Sequence, residues 1–260
     1  MTQNTTILSE KESFLIESLI AKYGLIVDFD QIQQELSRDY SRQQVRNLVS
    51  KMTKKGWLVR IKKGTYYIAN LESRGFAGAS VLVIAQTILE ESYVSFEAAL
   101  QYHGIFDQHA RTVTSVCLKK KADKTIQGIT YRFIKTSEKN FYGWEEKQIE
   151  GRDVKIATLE KAILDMIRSQ RSVHSLDLVL EKLKDYKDNF DFDKLNEMAA
   201  SQSVIVQKIL GFLLDKAGIN SDVIFELTKG KEGAGSMTKD SDVFSGKWNL
   251  YYHNHFASRE

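Results

Sequence analysis

Apolar positions in the first third of the chain repeat with the spacing of short helices. A capping-box pattern from Ser9 to Glu12 predicts the start of a first helix, which ends at Gly24. Its predicted inner face comprises Phe14, Leu15, Leu19 and Ile20. Asp28 or Asp30 is predicted to cap a second short helix, with Phe29, Ile32 and Leu36 on its apolar side.

The third predicted helix separates an apolar face from a polar and basic one. Ser41 and Gln44 form a second capping box, and Gly56 is the glycine expected after a helix end. The core stripe at i, i+3, i+4, i+7 spacing comprises Val45, Leu48, Val49 and Met52. The opposite face holds Gln43, Asn47, Ser50 and Lys54, flanked by Arg46 and Lys51, with Arg42 in the first turn.

A β-hairpin is predicted directly after this helix. Residues 57–61 and 65–68 are rich in β-branched and aromatic side chains, and Lys62, Lys63 and Gly64 join them. Three helices and a two-stranded wing in this order predict a winged helix-turn-helix over residues 1–74.

Residues 75–260 are predicted to form a larger mixed α/β domain with an antiparallel sheet and several helices, so the predicted fold class is α+β. The linker is placed at residues 70–78. Alternation of Val113, Ser115 and Cys117, and of Ile129, Tyr131 and Phe133, predicts half-buried antiparallel strands. Helices are predicted at 79–91, 96–103 capped by Ser95, 159–168 capped by Thr158, 175–186, 192–200 and 204–217.

Charge is concentrated in the N-terminal part, although the net charge of the 260-residue chain is only +3. Residues 1–75 carry 12 basic and 8 acidic side chains, whereas the remainder carries 25 and 26. Between Arg38 and Lys63 there are nine basic residues and a single acid, Asp39. Basic charge on a helix followed by a hairpin favours contact with DNA phosphates.

The predicted DNA-binding residues divide by role. Arg42, Gln43, Arg46 and Asn47 lie in the first two turns of the third helix, where such side chains reach base edges. Lys51, Lys54, Lys62 and Lys63 are predicted to hold phosphates, and Ser50 lies on the same exposed face. A second basic group comprises Lys119, Lys120, Lys121 and Lys124; it is interpreted either as a further DNA backbone contact or as a solvated loop.

Other features support no catalytic residue, metal site or cofactor. His253 and His255 have a spacing that suits zinc, but no cysteine or carboxylate stands near them in sequence. The one cysteine, Cys117, lies in an apolar run and indicates a reducing compartment. Without a signal-peptide pattern or a long apolar segment, the expected location is cytoplasmic and away from membranes.

Four segments resemble the antitoxins of abortive-infection type IV toxin–antitoxin systems, the AbiEi group. They are GWLVRIKKGTYYI from Gly56, YVSFEAALQYHGI from Tyr93, VKIATLEKAILDMI from Val154 and KILGFLLDKAG from Lys208. Family members often carry proline or serine where this chain has Leu159.

The resemblance implies a transcriptional autorepressor that binds inverted repeats in its own promoter. It also implies an antitoxin that counters a nucleotidyltransferase toxin without a stable complex. Two other classes remain open: a nuclease or nucleotidyltransferase guided by the winged domain, which predicts clustered carboxylates for Mg²⁺, and a plain winged-helix regulator. A module that recruits a protein would instead present an apolar recognition face, which Gln43, Asn47, Ser50 and Lys54 contradict.

Overall fold

A computed structural model describes residues 8–69, 80–108 and 111–257 of the chain. It is a mixed α/β protein with antiparallel and mixed sheets. The chain divides into two compact units. The first comprises Met1–Glu90, Thr125–Thr130 and Lys147–Val154, and the second comprises the remainder. The predicted domain boundary after residue 74 and the predicted linker at 70–78 lie outside the described residues.

The first unit begins with three helices that alternate with a small sheet. Its elements are α1 (Glu10–Tyr23), β1 (Ile26–Asp28), α2 (Phe29–Leu36), α3 (Arg42–Lys54), β2 (Leu58–Lys62), β3 (Thr65–Ile68) and α4 (Val81–Ile88). The strands form an antiparallel sheet in the order β1-β3-β2. Both predicted capping boxes, at Ser9 and at Ser41, are present.

The inner face of α1 differs from the prediction. Phe14 is 72% exposed and Ile20 is 40% exposed. Leu15 and Leu19 are buried as predicted, and Glu12 and Ile16 are buried beside them in place of Phe14 and Ile20. Three consecutive apolar residues, 14–16, are compatible with more than one face, and the face chosen also accommodates the Glu12 carboxylate of the capping box.

The end of α3 and the hairpin follow the sequence pattern closely. Val45, Val49 and Met52 are buried, and Leu48 packs against them while partly exposed. Gly56 and Gly64 adopt φ values of +83° and +80°, which favour glycine, at the helix end and in the hairpin turn. These elements therefore hold one face of α3 against the core and leave the other in solvent.

The rest of the chain combines a six-stranded sheet, a helical cluster and a second small sheet. Its first elements are β4 (Ser92–Val94), α5 (Phe96–Tyr102), β5 (Thr112–Cys117), β6 (Lys124–Ile126), β7 (Ile129–Lys135), β8 (Trp144–Ile149) and β9 (Arg152–Ala157). The later ones are α6 (Leu159–Ser169), α7 (Val173–Asp185), α8 (Phe192–Ala200), α9 (Val204–Lys216), α10 (Asp222–Thr228), β10 (Gly235–Ser236), β11 (Val243–Ser245) and β12 (Leu250–Tyr252). The large sheet has the order β6-β7-β5-β4-β9-β8, with β4 antiparallel to β5 and parallel to β9.

Strand β5 departs from the half-buried expectation. Residues 113–117 are all buried, not only the alternating Val113, Ser115 and Cys117. The strand lies inside the sheet, and helix α5 packs against it. Ser95 stands at the N-cap position of α5 as predicted, but its hydroxyl donates to Asp165 and makes no capping hydrogen bond to the start of the helix.

Helix α6 is deeply buried in the second unit. Residues 159–167 are all buried, and α6 packs against α5, α7, α8 and α9. The predicted cap is confirmed, since the Thr158 hydroxyl accepts a hydrogen bond from the backbone N–H of Lys161. Within residues 8–69, 80–108 and 111–257, every helix is too short or too polar to span a bilayer.

Candidate nucleic-acid interface

Helix α3 turns its predicted DNA-binding residues toward solvent. All seven of them on the helix are exposed: Arg42, Gln43, Arg46, Asn47, Ser50, Lys51 and Lys54. On the hairpin, Lys63 is exposed and Lys62 is half-buried. The buried stripe on the opposite side of α3 fixes this orientation, because rotating the helix would expose Val45, Val49 and Met52 to water.

A groove of about 750 Å³ runs between α3 and the β2–β3 hairpin. Five cationic side chains line it: Arg42, Arg46, Lys54, Arg60 and Lys63. Arg60 was not among the predicted DNA-binding residues. Alternation along the strand does not place it there, because Leu58 and Ile61 are both buried and the pairing of β2 with β3 shifts register between Arg60 and Lys62.

Two carboxylates also line the groove, and both have partners. Asp28 accepts a hydrogen bond of 2.7 Å from the Thr65 hydroxyl. Asp30 lies 3.3 Å from the guanidinium of Arg42, in a solvent-exposed pair. The lining as a whole therefore carries five positive and two negative charges, which makes it attractive to a polyanion.

Four of the groove cations have no ion pair among the described residues: Arg46, Lys54, Arg60 and Lys63. Arg42 differs from them, since it pairs with Asp30 and its guanidinium lies 5.4 Å from the centre of the Phe29 ring. Cations without an internal partner keep their full charge available for phosphate oxygens.

Lys51 forms an ion pair within the fold and is not a groove cation. Its ammonium lies 3.1 Å from the carboxylate of Glu12 on α1, and Lys55 approaches the same group at 3.5 Å. Burial raises the pKa of Glu12, but the backbone N–H of Ser9 and the two ammonium groups outweigh that effect and lower the pKa to about 2. Lys51 thus helps to hold α3 against α1.

Lys62 is also engaged, with the carboxylate of Glu90 at 2.8 Å. The hydrogen bond from Lys62 lowers the pKa of Glu90. Neither Lys51 nor Lys62 lines the groove. Lys51 instead borders a second depression of about 650 Å³, together with Asn47, Ser50, Lys54 and Lys55. Gln43 donates to the amide oxygen of Asn47 at 3.1 Å.

The second basic group predicted from sequence follows β5. Lys119, Lys120 and Lys121 are exposed, and Lys124 begins β6 half-buried. Lys119 pairs with Glu91 at 3.4 Å, and both side chains are largely in solvent. The arrangement matches a charged turn, and the exposed Lys119–Glu91 ion pair is weak.

Sequence reasoning missed a buried charge cluster on α6. Lys161 and Asp165 are fully buried and 2.6 Å apart, and Arg168 reaches the same carboxylate at 2.8 Å. The hydroxyls of Tyr93 and Ser95 donate to the other carboxylate oxygen at 3.0 and 2.8 Å. Burial lowers the pKa of Lys161, while Asp165 acts in the opposite direction.

These five groups come from two parts of the sequence, 93–95 and 161–168, so no single local motif reveals the cluster. The i, i+4 spacing of Lys161 and Asp165 and the i, i+3 spacing of Asp165 and Arg168 were the local signals, and both are common on solvated helix surfaces. Among the described residues, no group of three or more histidines, cysteines or acids is placed to hold a metal ion.

Among known proteins, the chain is similar to solved structures but not to a family model or a curated protein. No protein-family model and no curated protein matches the chain. Among solved structures, it is similar to the crystal structure of the RV2827C protein from Mycobacterium tuberculosis, with a TM-score of 0.67 and 12% sequence identity. The match covers 95% of this chain and 92% of that one, so the two share a fold along nearly their whole lengths.

Proposed function

We propose that this protein is a DNA-binding transcriptional regulator whose first unit is a winged helix-turn-helix. One observation carries the proposal: Arg46, Lys54, Arg60 and Lys63 converge on a single groove with no ion pair among the described residues. In this proposal α3 is the recognition helix and the β2–β3 hairpin is the wing. Unneutralised charge of one sign along a helix and hairpin suits a duplex backbone.

The roles within the interface follow from the placement of the side chains. Arg42, Gln43, Arg46 and Asn47 occupy the first half of α3 and reach base edges. Lys54, Arg60 and Lys63 contact phosphates from the groove. Lys51 and Lys62 contribute mainly to the fold, because each already pairs with a carboxylate.

The wider proposal rests on the resemblance to AbiEi antitoxins. The chain represses its own operon from inverted repeats and counters a nucleotidyltransferase toxin without a stable complex. The resembling segments include the hairpin and, in the second unit, β4 with α5, β9 with α6, and α9. We assign the antitoxin activity to the second unit. A weaker contact, to the DNA backbone only, is made by Lys119, Lys120, Lys121 and Lys124. In this proposal the protein acts in the cytoplasm.

The test of DNA binding is a titration of the full chain against its own upstream DNA and a scrambled duplex, at 50 and 200 mM salt. We expect preference for the upstream DNA and a loss of affinity of about 10³–10⁵ across this salt range. An Arg42→Ala/Arg46→Ala/Asn47→Ala variant should lose the preference. A Lys11→Ala/Lys22→Ala variant, which removes two exposed cations from α1, is the matched control. Equal weak binding to both duplexes by every variant would contradict the proposal.

The antitoxin role is tested separately by co-expression with a nucleotidyltransferase toxin of the type IV abortive-infection systems that the resemblance implies. We expect growth to be restored without co-purification of the two proteins, and the triple α3 variant should still restore growth. Failure to restore growth would remove the antitoxin assignment while leaving the DNA-binding result intact.

A further inference from the structure

A pocket of about 320 Å³ opens in the second unit beside α5, over strands β5 and β7. Its lining combines guanidinium, hydroxyl, amide and carboxylate groups against the ring of Phe106. The volume is at the small end of the range of about 300–1,000 Å³ for ligand pockets. It admits a small molecule and is too small for a peptide helix or a nucleic-acid strand.

Two arginines give the pocket its charge. Arg111 has no ion pair among the described residues. Arg132 meets only Asp123, at 3.4 Å, and both of those side chains are about half exposed. An ion pair of this length in solvent is weak, so both guanidinium groups are available to an incoming anion. Guanidinium groups bind phosphate and carboxylate oxygens in pairs.

The neutral groups around the arginines include hydrogen-bond donors. The Ser175 hydroxyl donates to the amide oxygen of Gln170 at 3.1 Å, which leaves the amide NH₂ of Gln170 as the free end. Thr112 and Thr114 add hydroxyl groups, and Thr114 is only 2% exposed. A buried hydroxyl at the floor of a pocket gains from a polar ligand that replaces water.

Glu97 gives the same pocket a negatively charged group, which favours a hydrogen-bond donor rather than an anion. It lies on α5, is half-buried, and has no ion pair or hydrogen bond among the described residues. A carboxylate beside two guanidinium groups that does not pair with them is free to accept from a hydroxyl or an ammonium group. Inorganic phosphate can pair with the two arginines only. A molecule with an anionic end and a hydrogen-bond donor at the other end can pair with the arginines and with Glu97.

We propose that this pocket binds a small organic anion. Arg111 and Arg132 hold its phosphate or carboxylate group, and a hydroxyl or ammonium group of the same molecule donates a hydrogen bond to Glu97. The site is independent of the proposed DNA interface, since none of its lining residues lies on α3 or the hairpin. The ligand chemistry is common to phosphate esters and to amino or hydroxy acids.

The test is calorimetric titration of the full chain with glycerol 3-phosphate, glycerate and inorganic phosphate at low ionic strength. We expect one of the two organic anions to saturate, and inorganic phosphate to bind about tenfold more weakly. Which organic anion saturates identifies the anionic group. An Arg111→Gln/Arg132→Gln variant should lose about tenfold or more in affinity, and Arg171→Gln, at an exposed arginine outside the pocket, should lose none.

Glu97→Gln separates the two ends of the ligand. It should weaken the organic anion about tenfold and leave inorganic phosphate unchanged. All four substituted residues retain solvent exposure, so thermal melting should show intact folds. The proposal is overturned if neither organic anion saturates by about 10 mM, if the double variant binds as well as the parent, or if inorganic phosphate binds as tightly as the better organic anion.

Discussion

Helices α3 and α6 each carry four charged side chains, yet the two helices place them in opposite environments. On α3 the charges are Arg42, Arg46, Lys51 and Lys54, and all are exposed. On α6 they are Glu160, Lys161, Asp165 and Arg168; the first three are buried and Arg168 is nearly so. The same number of charges thus forms a solvent-exposed basic face on α3 and a buried network of ion pairs and hydrogen bonds on α6.

The difference lies in whether the charges are neutralised within the fold. Asp165 receives two cations and two hydroxyls, and Glu160 accepts the backbone N–H of Asp191 at 3.1 Å. Arg46 and Lys54 on α3 have no ion pair among the described residues. A buried charge must be paired for the fold to form, whereas an exposed and unpaired cluster adds little to the fold and attracts an anionic partner. This contrast supports a binding role for α3 and a structural role for α6.

Removing Asp165 tests the structural side of the contrast and has the largest expected effect. Asp165→Asn leaves Lys161 and Arg168 without a counter-charge in a buried place. We expect the free energy of unfolding to fall by about 3–5 kcal/mol, measured by chemical denaturation. Asp30→Asn, which removes the exposed partner of Arg42, should cost less than about 1 kcal/mol. A loss below about 1 kcal/mol for Asp165→Asn would show that the buried network does not stabilise the second unit.

Glu12 tests whether the first unit also contains a buried charge that is neutralised within the fold, as the charges of α6 are. Its pKa in the folded protein is about 2, below the ordinary 4.5, so its stabilising effect is complete above pH 4.5. It is lost as the pH falls from 4.5 to 2, because the unfolded chain then binds the proton more readily. The expected loss is about 3 kcal/mol.

The measurement is the unfolding free energy of the parent and of Glu12→Gln between pH 6 and pH 2.5. The variant should be less stable at pH 6, and the two stabilities should converge in acid. Glu17→Gln, at an exposed acid of the same helix, is the control and should show no such convergence. Parallel stability curves for parent and Glu12→Gln would contradict a buried anchor for α3.

Local patterns predicted α1, α2, α3, the β2–β3 hairpin and α6, but not which charges pair. The capping boxes at Ser9 and Ser41 and the cap at Thr158 depend on residues three positions apart, so the sequence displays them directly. The same holds for the polar face of α3. The 3.6-residue period assigned Val45 and Val49 to the core and the basic residues to solvent.

The remaining features depend on residues far apart in the chain. Glu12 and Lys51 are separated by 39 positions, and Lys62 and Glu90 by 28. These ion pairs distinguish lysines that hold the fold together from lysines without an ion pair. The periodicity of the sequence does not show which lysines are paired. Strand β1 has only three residues, too few for alternation to show. Arg60 became a candidate only when the hairpin placed it across the groove from α3.

Two neighbouring hairpin cations sharpen the comparison within the binding surface. Arg60 lines the groove without an ion pair, whereas Lys62 pairs with Glu90 at 2.8 Å. We expect Arg60→Ala to weaken binding to the upstream DNA about tenfold, and Lys62→Ala to weaken it less than about threefold. Both substitutions should change the unfolding free energy by less than about 1 kcal/mol. Equal losses of DNA affinity would mean that internal pairing does not decide which cations bind DNA.

The smallest expected effect is a change in salt dependence, and it compares two lysines on one helix. Lys54 lines the groove and has no ion pair among the described residues, whereas Lys51 lies 3.1 Å from Glu12. Each phosphate contact contributes about 0.9 to the slope of log affinity against log salt. Lys54→Ala should therefore reduce the slope by about 0.9, and Lys51→Ala should leave it nearly unchanged while lowering folding stability. DNA titrations from 50 to 200 mM salt measure both slopes. A larger slope change for Lys51 than for Lys54 would mean that Lys51 exchanges Glu12 for a phosphate on binding, and the division of α3 into anchoring and binding lysines would then be wrong.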